Sequence, residues 1–241
     1  MDRDQLLEQA QEVVDAHPDL CLVPGDDGVV LSGKYILDGI YNGVPYYEEF
    51  NLEIRIPWGY PEKLPSVKEL DNRIKKSKYG HIFVGDELCL GARCDLIDRL
   101  QACNSLLEYL DMVISSYLFG FLYYEEYGVE PPFGERSHGF KGLREAYKER
   151  YGVVEDKSLY GLLFLLGDPS PLRGHIMCPC GSGRRLRDCH GPALSRDRES
   201  VYFSHYLLEA TEIIRCALKE MEEQSEAKRR LQAAVRSGNL L

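Results

Sequence analysis

What this 241-residue chain lacks already narrows what it can be. No apolar run approaches the ~20 residues that span a bilayer; the longest candidate, 117–124, is short and runs into Glu125-Glu126. Positive charge is in deficit: 29 Lys and Arg stand against 39 Asp and Glu, a net of −10. That balance argues against general electrostatic binding to nucleic acid or to an anionic membrane. The opening Met1-Asp2-Arg3-Asp4-Gln5 lacks the basic-then-apolar order of a signal peptide, so the expected location is the cytoplasm. No internal repeat is visible, and no glycine-rich nucleotide loop follows a strand, so no adenylating unit is expected.

What is present is ordinary in bulk and uneven in detail. A hydrophobic content of 44% with 28% charge suits a globular protein, with one substantial core plus an appendage or two modest domains. The eight cysteines fall into two groups. Cys178, Cys180 and Cys189 cluster beside His190, while Cys21, Cys89, Cys94, Cys103 and Cys216 are scattered. In a reducing compartment, clustering with a histidine points to metal rather than to disulfides.

Along the chain, residues 5–16 carry Leu6, Leu7, Ala10, Val13 and Val14 at helical spacing, and His17-Pro18 ends that helix. Short strands follow, split by the turn cluster 24–28. Residues 29–37 and 46–56 read as strands joined through Asn42-Gly43, a strong hairpin signal, and 66–70 as a fourth. From Leu96 to Tyr117 apolar residues keep a period near 3.6, which predicts one long helix. An aromatic run continues it to Tyr127, and Pro131-Pro132-Phe133-Gly134 breaks it. Helices are expected over 142–151 and 158–166, then a linker over 167–174 and a final helix over roughly 200–235.

Residues 178–191 offer three thiolates and one imidazole within a short loop, the donor set of a tetrahedral structural zinc site. Ligands one residue apart at one end and adjacent at the other demand tight turns, and Gly181, Gly183 and Gly191 supply the backbone freedom. The stretch resembles the SEC-C motif, the zinc hairpin at the end of the SecA translocation ATPase. The resemblance implies Cys178, Cys180, Cys189 and His190 as ligands of a structural Zn2+. His175 is a rival ligand of poorer spacing. Arg173, Arg184, Arg185 and Arg187 make the knuckle locally basic; they either dock an acidic partner or RNA, or simply solvate the module.

The alternating strand with Phe50, Leu52, Ile54 and Ile56 runs into Tyr60-Pro61, then Pro65-Ser66-Val67, then His81, then Glu87-Leu88-Cys89-Leu90. This order resembles the ubiquitin-conjugating (E2) family, in which a Tyr-Pro corner precedes a histidine and a Cys-Leu active site. The resemblance covers roughly 1–165 and implies an α+β fold: an N-terminal helix, a four-stranded antiparallel meander, then helices. It implies Cys89 as a thioester-forming nucleophile; without that context a free cysteine reads as a small buried hydrophobe. His81 reads as a loop clamp with a possible catalytic contact, and His138, in a glycine-rich stretch, as a further candidate near the cysteine or a capping histidine. Glu87, Asp95 and Asp98 are candidates to orient an incoming amine. One departure stands out: the family's His-Pro-Asn is replaced by His81-Ile82-Phe83, so the oxyanion needs another donor.

The domain organisation expected is an E2-like domain at 1–166, a linker at 167–174, a zinc knuckle at 175–195 and a C-terminal helix at 196–241. Bacterial proteins of this kind occur in CBASS anti-phage operons, where they act on the C-terminus of a CD-NTase, and in ubiquitin-like conjugation pathways. The resemblance therefore implies an acyl carrier whose partner is a CD-NTase or ubiquitin-like C-terminus, served by a separate E1-like activating enzyme or, as resemblance to short CBASS operons allows, working without one. The acidic charge argues against a membrane or nucleic-acid partner. The competing reading is a non-catalytic adaptor that docks partners through its knuckle and C-terminal helix.

Overall fold

The alternation of apolar and polar residues through 50–56 needs one covered face and one wet face, and a sheet backed by helices provides both. A computed structural model describes residues 1–41, 43–77, 79, 81–129, 131, 136 and 139–236. The chain divides into two compact units, Met1–Glu135 and Arg136–Leu241. The first is a mixed α/β unit built on a four-stranded antiparallel sheet of order β1-β2-β3-β4.

Helix α1 (Arg3–Ala16) opens with a capping box: Asp2 accepts from the Gln5 backbone while the Gln5 side chain accepts from the Asp2 backbone. Strands β1 (Leu20–Pro24), β2 (Gly28–Tyr41), β3 (Val44–Pro57) and β4 (Ser66–Glu69) follow as a meander. Tyr41 pairs with Val44, and Gly43 has φ 82°; Asn42, its partner in the hairpin signal, lies outside the described residues. Leu31, Tyr35, Leu37, Phe50, Leu52, Ile54, Ile56 and Val67 are all buried on one face of the sheet. Burying each such side chain is worth about 1.5–3 kcal/mol, so this face supplies a substantial share of the unit's cohesion.

Two short helices follow, α2 (Arg73–Lys76) and α3 (Arg93–Ala102), and then α4 (Leu106–Tyr127). The single long helix expected from Leu96 is thus broken in two. Ser105 caps α4 by accepting from the Glu108 backbone, and the Glu108 carboxylate in turn accepts from the Asn104 backbone and amide. These local bonds offer the backbone an exit from the helix that the unbroken apolar period concealed. At its far end α4 stops at Gly128 in the left-handed conformation, before the prolines expected to break it. By length and mean hydropathy (1.2) α4 passes as a membrane span, yet it packs on α1, α3 and β2 and 61% of its apolar window is buried. It is a core helix.

The second unit holds α5 (Gly139–Tyr151), α6 (Asp156–Gly167), a 3-10 turn (Leu186–Asp188), α7 (Gly191–Glu199) and α8 (Phe203–Arg236). Tyr147, Leu159, Leu162, Leu166, Leu194, Tyr206 and Ile213 form its core. The sequence placed α5 and α6 in a first domain ending at 166; in the structure both pack with α8, and α6 also with α7. Residues 167–174, read as a linker, are tied down: Arg198 donates to the carbonyls of Asp168 and Ser170. Helix α7 was not foreseen, because its few apolar residues are spaced too sparsely to show a period.

Candidate functional site

The four residues of the cysteine cluster arrive from three local turns. Met177 and Arg185 form an antiparallel bridge, and the Cys178 backbone donates to Arg184 at 2.9 Å, closing a hairpin around Cys178 and Cys180. Gly181 and Gly183 sit at φ 79° and 73°, a region that costs a side-chain-bearing residue energy. The 3-10 turn then delivers Cys189, whose backbone donates to Leu186, and His190 caps α7. At Gly191 the requirement is space: a Cβ there would stand 2.7 Å from the Leu186 carbonyl.

The geometry fits a metal ion. The ligand atoms of Cys178, Cys180, Cys189 and His190 all lie within 4.8 Å of one another. Cys180 and Cys189 sulfurs are 3.5 Å apart, and His190 Nδ1 lies 3.2 Å from Cys178 Sγ and 3.3 Å from Cys189 Sγ. Tetrahedral bonds of ~2.3 Å to sulfur set ligand separations of about 3.8 Å, so a small shift opens room for an ion. Burial pushes the Cys178 thiol up to about 11. Burial also acts to raise Cys180, but hydrogen bonds from the Ser182 side chain and backbone, with those of Cys178 and Cys189, together outweigh it and bring that thiol down to about 6. A cation at the centre is what would let the remaining protons leave. His175, the rival ligand, is exposed and outside the cluster.

Sequence reading missed what stands behind these ligands. His190 Nε2 lies 2.7 Å from the Tyr151 carbonyl at the end of α5, thirty-nine positions away. Pro179 rests against α6, where a Cβ on Gly161 would come within 2.6 Å of the proline Cβ. No local signal marks either contact, since both depend on how the helices pack.

Cys89 lies in a different setting, on the segment between β4 and α3. Phe83 donates to the Glu87 carbonyl at 2.8 Å, Ile82 bridges Leu88, and Leu88 donates to Val67 of β4, so the segment is a tight hairpin sewn to the sheet edge. Cys89 follows it, half-buried, its backbone donating to the His81 carbonyl at 2.9 Å. That carbonyl also accepts from the Tyr117 hydroxyl at 2.8 Å, and the His81 ring packs 4.4 Å from Tyr79. His81 thus ties the Cys89 loop to α4 through its backbone and to Tyr79 through its ring. Glu87 and Asp95 are half-buried and Asp98 is exposed. Cys94 is buried in α3, and Cys103, expected in the core of a long helix, is instead the half-buried cap of α3. His138 lies outside the described residues.

Compared with known protein families, residues 177–192 match the SEC-C motif. None of the curated proteins matches this chain. The match covers the hairpin, all four metal-compatible ligands and the first residues of α7.

Proposed function

We propose that this protein is an E2-like acyl carrier of the cytoplasm, with Cys89 as its thioester-forming residue and a structural zinc held by Cys178, Cys180, Cys189 and His190. The observation that carries the first part is the placement of Cys89. It stands half-buried at the end of a hairpin fastened to the edge of a four-stranded meander, after the Tyr60-Pro61 corner. A half-buried thiol fastened at a sheet edge suits transfer between two protein-sized partners.

In that reading the Cys89 thiolate attacks the activated carbonyl of a partner's C-terminus, and the activator's thiolate leaves. An amine then attacks the new thioester; the amide forms, the carbon–sulfur bond breaks, and the amine proton passes to solvent or to the departing thiolate. The donor is a CD-NTase or ubiquitin-like C-terminus delivered by an E1-like enzyme, and the setting is anti-phage defence. Backbone amides are left to meet the oxyanion, since Ile82 and Phe83 stand where the family carries Pro-Asn.

Mixing the purified chain with donor and activator tests this. Wild type is expected to form a reductant-sensitive adduct, and Cys89→Ser a stable ester or none. An adduct that persists in Cys89→Ala would remove Cys89 from the mechanism. When bound, zinc would act as a cross-link between the hairpin and α7; an ordered C-terminal unit carrying no zinc by elemental analysis would sink that assignment. The replaced Pro-Asn favours a second reading, an adaptor that uses the same surface for docking without chemistry. A chain that binds the donor yet never forms an adduct selects it.

A further inference from the structure

His190, the only imidazole in the metal-compatible cluster, is anchored from behind. Its Nε2 lies 2.7 Å from the Tyr151 carbonyl. A carbonyl only accepts, so Nε2 carries the hydrogen, and the Nδ1 that faces Cys178 and Cys189 keeps its lone pair. Tyr151 is held at its other end as well: its hydroxyl donates to Asp197 Oδ2 at 2.9 Å. Asp197, on α7, is 1% exposed, and Arg150 grips both of its oxygens, at 3.0 and 2.8 Å. The Arg150 guanidinium lies over the Tyr206 ring of α8, 4.4 Å from its centre.

A buried ion pair of this kind is poor value as a source of stability, because desolvating two charges cancels most of their attraction. Its placement suggests another use. Asp197 and His190 belong to the same short stretch of chain, and both meet Tyr151, one at the hydroxyl and one at the carbonyl. The tyrosine is therefore pinned at two points, and the imidazole is left one orientation.

We propose that Asp197, braced by Arg150 and acting through Tyr151, is a positioning residue for His190, selecting the tautomer and ring angle with which it meets the metal. The proposal rests on the zinc reading of the cluster. It makes metal affinity depend on α5, far outside the matched motif, and it makes the knuckle part of the helical unit and not a detachable bead.

Zinc competition against a chromophoric chelator, on the full chain, tests it. Tyr151→Phe keeps the carbonyl and loses only the tie to Asp197; its zinc affinity is expected to fall about tenfold, the low end of what losing a ligand's direct outer-shell partner costs. Tyr147→Phe is the control: it keeps the ring, which lies 6.3 Å from that of Tyr151, and loses a hydroxyl that bonds Glu209 and the Tyr206 carbonyl in the same unit. It is expected to leave affinity within a few-fold of wild type. With cobalt in place of zinc, Tyr151→Phe should keep the thiolate charge-transfer bands while its d–d bands shift. No loss in Tyr151→Phe, or equal losses in both variants, overturns the proposal. Nitrogen NMR of the zinc-loaded wild type needs no variant: His190 should show a protonated Nε2, and a protonated Nδ1 overturns the proposal. A chain that holds no zinc overturns the zinc reading together with the relay, whereas wild-type affinity in Tyr151→Phe overturns the relay alone.

Discussion

At the scale of single residues, two positions show contacts that composition would not disclose. Gly161 lies inside α6, where glycine normally costs a helix about 1 kcal/mol relative to alanine. Here a Cβ would press into Pro179 at 2.6 Å, so the sign reverses. Gly161→Ala should destabilise the C-terminal unit by about 1–3 kcal/mol, as overpacking does, read by urea denaturation followed by far-UV circular dichroism. Tyr35 is the second. Its hydroxyl donates to Asp111 at 2.9 Å and lies 3.2 Å from Ser115, while its ring stacks on His17. Burial first, then the Asp111 charge, raises the Tyr35 pKa well above its usual value. A raised folded-state pKa means the contribution is complete below the unfolded value of about 10 and is lost as pH rises through the folded value. Tyr35→Phe should therefore cost about 1 kcal/mol at neutral pH. The gap between variant and wild type should narrow in denaturation curves taken above pH of about 10.

At the scale of elements, the strands and most helices were legible because their faces are regular. The inward Phe50, Leu52, Ile54 and Ile56 and the outward Glu49, Asn51, Glu53 and Arg55 could only be a half-buried strand. The break between α3 and α4 was not legible, because apolar spacing continues across it while the decision rests on three polar side-chain contacts. Ser105→Ala should cost about 1 kcal/mol of stability in urea titrations, the value of a lost N-cap, if that cap starts α4. An unchanged midpoint would instead put the break on the packing of α3. Helix α7 escaped notice for a different reason: its buried residues are Gly191, Leu194 and Asp197, and a buried aspartate reads as a surface residue until its arginine is seen.

At the scale of the molecule, the division at 135/136 assigns α5 and α6 to the unit that holds the metal-compatible cluster. The single tryptophan, Trp58, lies in the other unit, its indole donating to the carbonyls of Gly25 and Asp26 at 3.1 and 2.9 Å. The two can thus be followed separately. Adding a strong chelator should lower the thermal transition seen by circular dichroism from the helical second unit and leave the Trp58 fluorescence transition in place. A Trp58 transition that moves in step would mean that the units unfold as one.

The sequence by itself determined the sheet, the meander, and the four residues that meet at the SEC-C match, because periodicity and ligand spacing act over a few residues and leave a direct trace. It also singled out Cys89 and His81, whose backbone link through the hairpin the structure adds. Only the tertiary structure decided that α5 and α6 belong with the cluster, that Tyr151 backs His190, and that Asp197 is buried against Arg150. Those contacts join the end of α5 to α7 and its cap, across the whole of α6. Their partners are chosen by packing, and packing is a property of the folded whole.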